Sequence, residues 1–257
     1  MTIYWDDECE DGTTRFQNMY DDAENVSCNG GPIHCTYNQT DQVSGAGCMQ
    51  YNFQDTDPDD HICEYGGGNY YNFTETDDCY FRFYFRMVSG WQASSTAPSK
   101  LIGVFPNTGN FVGPSIWIVM FNDKRIILWY QSPSSHPGEN VKFQFDSGHA
   151  LSNHDQWYCI ELRSVMNTVG LENGVTQAWL DGDPVTLTDI QFGENPAAWE
   201  MRGNSSHHLG SVAMFKQWGS GATLLDRIAV ANERIGAIGG GGSIVKQARH
   251  HYAMMQS

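Results

Sequence analysis

Polar and apolar positions alternate with a period of two along most of this chain, most clearly at residues 80–87. There Phe81, Phe83, Phe85 and Met87 fall on one side of an extended segment and Tyr80, Arg82, Tyr84 and Arg86 on the other. The same period runs through Trp157-Tyr158-Cys159-Ile160-Glu161-Leu162-Arg163, with Tyr158, Ile160 and Leu162 opposed to Trp157, Cys159 and Glu161. A loop rich in Asn and Gly leads from it to Gln177-Ala178-Trp179-Leu180, and Asp181-Gly182 supplies the left-handed turn that a tight hairpin needs. Further strands are predicted over residues 3–5, 48–53, 61–65, 100–105, 116–121, 125–130, 141–145, 185–187, 212–218 and 225–231, separated by clusters of Gly, Pro, Ser, Asn and Asp. Residues up to about 47 read mainly as loop, and no helical period of useful length occurs. So many short strands, each with one apolar face, predict an all-β, two-sheet antiparallel sandwich. We place a single domain over 1–238, with a cysteine-rich elaboration at 28–79 and a glycine-hinged, His-containing tail at 239–257.

Composition sharpens this picture. The chain has 257 residues and a formal charge of −16, which argues against nucleic acid and anionic membrane surfaces as partners, since both select a basic footprint. No apolar run reaches the roughly 18–20 residues of a membrane span. Six of the seven cysteines, Cys9, Cys28, Cys35, Cys48, Cys63 and Cys79, lie in the first third without metal-ligand spacing, and Cys159 stands alone. Such a cluster reads as disulfides in an oxidising, extracellular compartment, with Cys28 and Cys35 flanking a turn as the best single pair. No signal peptide is present in this numbering.

The polar face of the 80–87 strand has two readings. A row of phenols and guanidiniums suits an anionic or hydroxyl-rich ligand; equally, its arginines can pair with the chain's own carboxylates on a solvated sheet face. The tryptophans Trp91, Trp117, Trp129, Trp199 and Trp218 likewise suit either sugar stacking or the core. The acidic run 55–60 reads as a solvated turn, because Pro58 stands where a calcium loop needs Gly.

Several of these segments carry a family likeness. Trp157 to Glu161, Asn167-Thr168, Gly170, Gly174 and Trp179-Leu180-Asp181-Gly182 together resemble the strand, loop and W-x-D-G hairpin of concanavalin A-like jelly rolls related to polysaccharide lyases. Cys9-Glu10-Asp11-Gly12 resembles the FEDG opening of that family, with Cys9 in place of Phe. Residues 80–87 with Trp91 and Lys100-Leu101 resemble its central strand and KL segment. Leu225 to Ala231 with Arg234-Ile235-Gly236 resembles its closing strand, with Arg227 in place of Asn.

The resemblance implies a jelly-roll sandwich that binds polysaccharide, with lyase chemistry on a uronate-containing glycan as the enzymatic reading. β-Elimination needs a group that neutralises the carboxylate, a base at the α-proton and an acid for the leaving oxygen. The candidates for those roles are Arg82, Tyr84, Arg86, His149 and Tyr130, with Tyr80, Trp91, Lys100 and Trp129 as substrate-binding residues. The family's R-T-E-L and Q-I-H strands are absent. So is the E-x-D-x-E strand of retaining hydrolases of this fold, whose carboxylates must stand about 5 Å apart. The resemblance further implies a structural calcium ion tying Glu10 and Gly12 to Asp226. A coat, fibre or adhesion subunit that self-assembles through the cysteine-rich region or the tail is the alternative function.

Overall fold

The computed structural model describes residues 1–7, 34–45, 47–53, 71–92, 99–106, 115–121, 123–131, 141–146, 151, 153–171, 173–189, 208–214 and 220–238. These form two antiparallel sheets and no helix, so none is long and apolar enough to cross a membrane. The eight-stranded sheet contains β1 (Ile3–Asp7), β2 (His34–Asn38), β3 (Cys48–Phe53), β5 (Asp78–Met87), β10 (Trp157–Val165), β11 (Val175–Leu180), β12 (Asp183–Val185) and β15 (Gly221–Ala231). The seven-stranded sheet contains β4 (Tyr71–Thr76), β6 (Ser99–Pro106), β7 (Ser115–Met120), β8 (Ile126–Gln131), β9 (Val141–Phe145), β13 (Leu187–Asp189) and β14 (Leu209–Met214). Their orders are β12-β11-β10-β5-β15-β3-β2, with β1 also on β15, and β13-β9-β8-β7-β6-β14-β4.

The sandwich follows from the alternation. Phe81, Phe83, Phe85 and Met87 of β5 join Tyr158, Ile160 and Leu162 of β10 and Leu225, Ile228 and Val230 of β15 in one core with Ile116, Ile118 and Met120 of β7 and Ile126 and Leu128 of β8. Each such side chain contributes about 1.5–3 kcal/mol by leaving water, which is why the period-two pattern selects this packing. The W-x-D-G turn forms as expected: Leu180 pairs with Asp183 across Asp181 and Gly182, whose φ angles are 54° and 94°. The Asp181 carboxylate also accepts the Cys159 amide, which docks the hairpin onto β10.

Three features depart from the sequence reading. Residues 34–38 and 71–76 are strands where none was predicted, and the single strand expected at 185–187 is divided at Thr186, with β12 and β13 in different sheets. The strand expected at 61–65 lies outside the described residues, as does the 239–257 tail. Finally, Cys48 and Cys79, expected in disulfides, are free buried thiols, and so is Cys159. Cys48 opens β3, and Cys79 lies in β5 among the core side chains, where a thiol serves as a small apolar group. Of the remaining cysteines, only the backbone of Cys35, in β2, is described.

Burial pushes the thiols of Cys48, Cys79 and Cys159 up to about 12, which removes the reactive thiolate at neutral pH. We therefore expect peptides containing these three residues to carry no label after native treatment with a thiol reagent, and full label after unfolding in denaturant. Rapid native labelling of any of the three, read by peptide mass spectrometry, would contradict the assignment.

Candidate functional site

Each sheet has an outer face, and the two are built differently. On the eight-stranded sheet, register aligns Cys159, Tyr84 and Asp226 in one row and Trp179, Glu161, Arg82 and Ala229 in the next. A β-bulge interrupts β15 between Asp226 and Ala229, with Arg227 at φ 50°. The bulge divides the edge of β15: residues before it pair with β3 and residues after it with β1. It also turns the Arg227 carbonyl out of the ladder, and the Arg82 guanidinium donates to that oxygen from Nε (3.3 Å) and Nη2 (3.1 Å).

The face is then covered by the chain itself. Residues 232–238 continue from β15 and fold back over it. Glu161 accepts the amides of Ile235 (2.6 Å) and Gly236 (3.0 Å), Arg82 donates to the Gly236 carbonyl (3.2 Å), and the Tyr84 hydroxyl accepts the Ile238 amide. Ile235 packs on Ala229 and Ala231 beside Tyr80. At the other end, residues 39–45 approach the same face. Val43 donates its amide to Asp226 (2.8 Å), Asp41 pairs with Arg86 (2.8 Å), and Trp157 Nε1 donates to the Asp41 carbonyl.

These contacts set the surroundings of the candidate residues on this face. Arg82 is 5% exposed and Tyr84 6%, and both are committed to backbone groups of the covering segment. Burial also pushes the Tyr84 phenol up, away from the range in which it would act as a base. Arg86 bridges Asp41 and Asp155 (3.3 Å), which is the carboxylate pairing weighed as the other reading of this row, and its guanidinium holds the Asp41 carboxyl below the ordinary carboxylate range. Tyr80 is half-buried, stacked on Trp179 at 6.0 Å, with the Arg163 guanidinium 5.5 Å from its ring centroid. Trp91 belongs to the core, and the His154 ring bonds its carbonyl (3.0 Å).

Of the residues expected to bind calcium, Asp226 is the one described, and its carboxylate is engaged by the protein's own amides. The Asp226 carboxylate accepts the amides of Val43, Arg227 and Ser44, so N–H groups occupy both of the oxygens that a calcium ion would use. Burial lifts this carboxyl to about 7. Among the described residues, no three His, Cys, Asp or Glu side chains converge as a metal site. Glu10 and Gly12 lie outside the described residues, as does His149.

The seven-stranded sheet presents a different outer face. Both sides of β7 are apolar and buried. Ile116, Ile118 and Met120 face the core, while Trp117 and Val119 join Ile127 of β8 in a separate cluster, with the half-buried Phe121 and Trp129 packed against it. Trp117 sits opposite Trp129, and Val119 opposite Ile127, which in turn faces Gln144. The alternation of β8 extends back through Arg125. Its guanidinium lies over the Phe121 ring (5.6 Å), donates from Nη1 to Gln144 (2.8 Å) and pairs through Nε with Asp123. Of the three sequence candidates on this sheet, Trp129 is thus on the outer face. The backbone of Lys100 pairs with Val119, an outer-face position, and that of Tyr130 with Ile116, a core position.

The charge pattern separates the two sheets as well. Strands β14, β6, β7, β8 and β9 contain no Asp or Glu, although the chain carries 30, and their charged residues are Lys100 and Lys142; the sheet's edge strands β4 and β13 carry Glu75 and Asp189. Sequence reasoning named Lys100 and Trp129 here but missed Arg125, Phe121 and Gln144. The available signal was the phase of Arg125, Ile127 and Trp129, which share one side of a period-two strand.

Comparison with known structures identifies the architecture. The fold is similar to that of the endo-β-1,4-glucuronan lyase of the fungus Trichoderma reesei, at a TM-score of 0.59 and 12% identity over 90% of this chain and 96% of that one. It is similar also to the PL-14 alginate lyase from Aplysia kurodai (TM-score 0.55, 13% identity, 91% and 100% covered). The globular domain of T. cruzi calreticulin matches too (TM-score 0.52, 10% identity, 99% and 95% covered). No protein-family model and no curated protein sequence matches the chain. The jelly-roll sandwich expected from the resemblance to polysaccharide lyases is therefore the fold found. At these identities the likeness carries the architecture and leaves the reaction to be argued from the site.

Proposed function

We propose that the protein binds a polysaccharide on the outer face of its seven-stranded sheet. The observation that carries this reading is the contrast between the two faces. The eight-stranded sheet is covered by residues 39–45 and 232–238, while the seven-stranded sheet combines an aromatic row, a held guanidinium and five central strands without acids. An aromatic ring offers a sugar its flat face, and a few fixed polar groups set the orientation of the chain. Trp117, Val119 and Ile127 are each 1% exposed and serve as packing beneath this surface, so the half-buried Trp129 is the ring the reading assigns to the ligand. Two structures of similar fold are by name a glucuronan lyase and an alginate lyase, which supports the ligand class and, with it, an extracellular setting.

The test is direct binding to alginate, glucuronan, ulvan and a neutral glucan, with unsaturated-product absorbance followed in the same samples. We expect Trp129→Ala to weaken binding at least tenfold, about 1.4 kcal/mol, and Gln177→Ala on the far sheet to leave it unchanged. Growth of the unsaturated product would add cleavage by β-elimination to the binding role. Binding without it would leave a lectin-like module. Failure to bind any of the polymers would overturn the reading.

A further inference from the structure

Arg125 stands at the end of the same face as Trp129, four residues along one strand and therefore roughly 13 Å away. Three contacts fix its guanidinium: Nε to Asp123, Nη1 to Gln144, and the stack on Phe121. Nη2 has no partner among the described residues, and the side chain remains 41% exposed. Such a group is oriented before any ligand arrives, so little side-chain freedom is lost when it binds.

Stabilising the fold does not account for this arrangement. The pair with Asp123 joins two side chains that are 41% and 46% exposed, a class of ion pair worth about 0–1 kcal/mol. Asp123 takes Nε, on the edge of the guanidinium that Nε shares with one Nη2 hydrogen, and the other Nη2 hydrogen points away from that edge. Strands β7 and β9 contain no Asp or Glu, although Asp146 directly follows β9 across from Arg125, and the backbones of Lys142 and Lys100 sit at outer-face register positions opposite Trp129 and Val119. In a chain of net charge −16, this is a local surface to which an anion can come.

We infer that Arg125 is the residue by which this face selects acidic chains, its guanidinium binding a sugar carboxylate while Trp129 holds the adjoining part of the polymer. The inference rests on the glycan-binding reading and adds to it a specificity-determining group. The contacts at Nε, Nη1 and the Phe121 ring hold the Nη2 donor in one direction, which an ammonium on a flexible stem does not reproduce, so charge alone will not replace it.

The experiment compares one polyuronate, glucuronan, with the same polymer after chemical reduction of its carboxyl groups. Wild-type protein should bind the native polymer at least tenfold more tightly than the reduced one. Arg125→Ala and Arg125→Lys should lower affinity for the native polymer to within about threefold of that for the reduced polymer, leaving the latter unchanged and the melting temperature close to wild type. Gln144→Ala, which releases Nη1, should give a smaller loss in the same direction. Trp129→Ala should weaken both polymers alike. Equal wild-type affinity for the two polymers, or an Arg125 variant that retains the preference, would overturn the role of Arg125 while leaving glycan binding in place. Binding to neither polymer would overturn both.

Discussion

Arg82→Ala is expected to destabilise the protein by about 3–5 kcal/mol in equilibrium denaturation, with no selective loss of ligand binding in the molecules that remain folded. The magnitude follows from what the guanidinium touches. Arg82 is 5% exposed and donates to two carbonyls, those of Arg227 and Gly236. The first is turned out of the ladder by the bulge in β15, and the second belongs to the segment that covers the sheet. Removing the side chain leaves both oxygens buried without their donor and takes a positive charge from beside Glu161, whose carboxyl it helps to hold down. Arg82→Lys keeps the charge but cannot span two carbonyls with a rigid fork, so it should fall between Ala and wild type. A variant that melts like wild type yet no longer binds glycan would return Arg82 to the ligand site.

The surroundings of this residue show where sequence periodicity stops. Alternation in residues 80–87 correctly divided core from outer positions, because burial against the second sheet is a property of the side chains themselves. It is silent on what lies over the outer face. The covering contacts are made by backbone groups of Val43, Ser44, Ile235, Gly236 and Ile238, which any residue carries, so their arrival above Asp226, Glu161 and Tyr84 leaves no mark in composition. The Asp181-Gly182 turn was legible for the opposite reason, since positive φ at two successive positions restricts the residue types that fit.

The candidate face on the seven-stranded sheet was only half legible, and its own chemistry explains this. Residues 115–120 are buried on both sides, so β7 carries no alternation to say which tryptophan faces outward. Arg125 stands next to a turn, where a charged residue ordinarily signals nothing more than solvent. Its role comes from Gln144 and Phe121, brought to it by strand pairing and the return of the chain at Lys124. Likewise Cys48 and Cys79 resembled a disulfide framework by clustering in sequence, whereas position within strands β3 and β5 decided their state.

Glu161→Ala should be the most damaging change on the closed face after Arg82, at about 3 kcal/mol or more, because two amides that it accepts would be left without partners inside a covered site. Its titration gives the sharper test. Burial lifts the Glu161 carboxyl above the ordinary range, while the amides of Ile235 and Gly236 and the guanidiniums of Arg234 and Arg82 oppose that shift without cancelling it. The native protein therefore holds this proton at a pH where the unfolded chain, at about 4.3, has released it. Between those two values the native state binds more protons than the unfolded state, so this group's contribution is fully present below about pH 4.3 and is lost as pH rises through the native value. Glu161→Gln removes the titration while keeping one acceptor. The stability difference between wild type and Glu161→Gln, measured by urea denaturation from pH 4 upward, should accordingly shift against the wild type as pH rises and then level off. A difference that shifts in favour of the wild type with rising pH would mean that the amides and guanidiniums outweigh burial, and that the covering segment is held chiefly by the charge of this carboxylate.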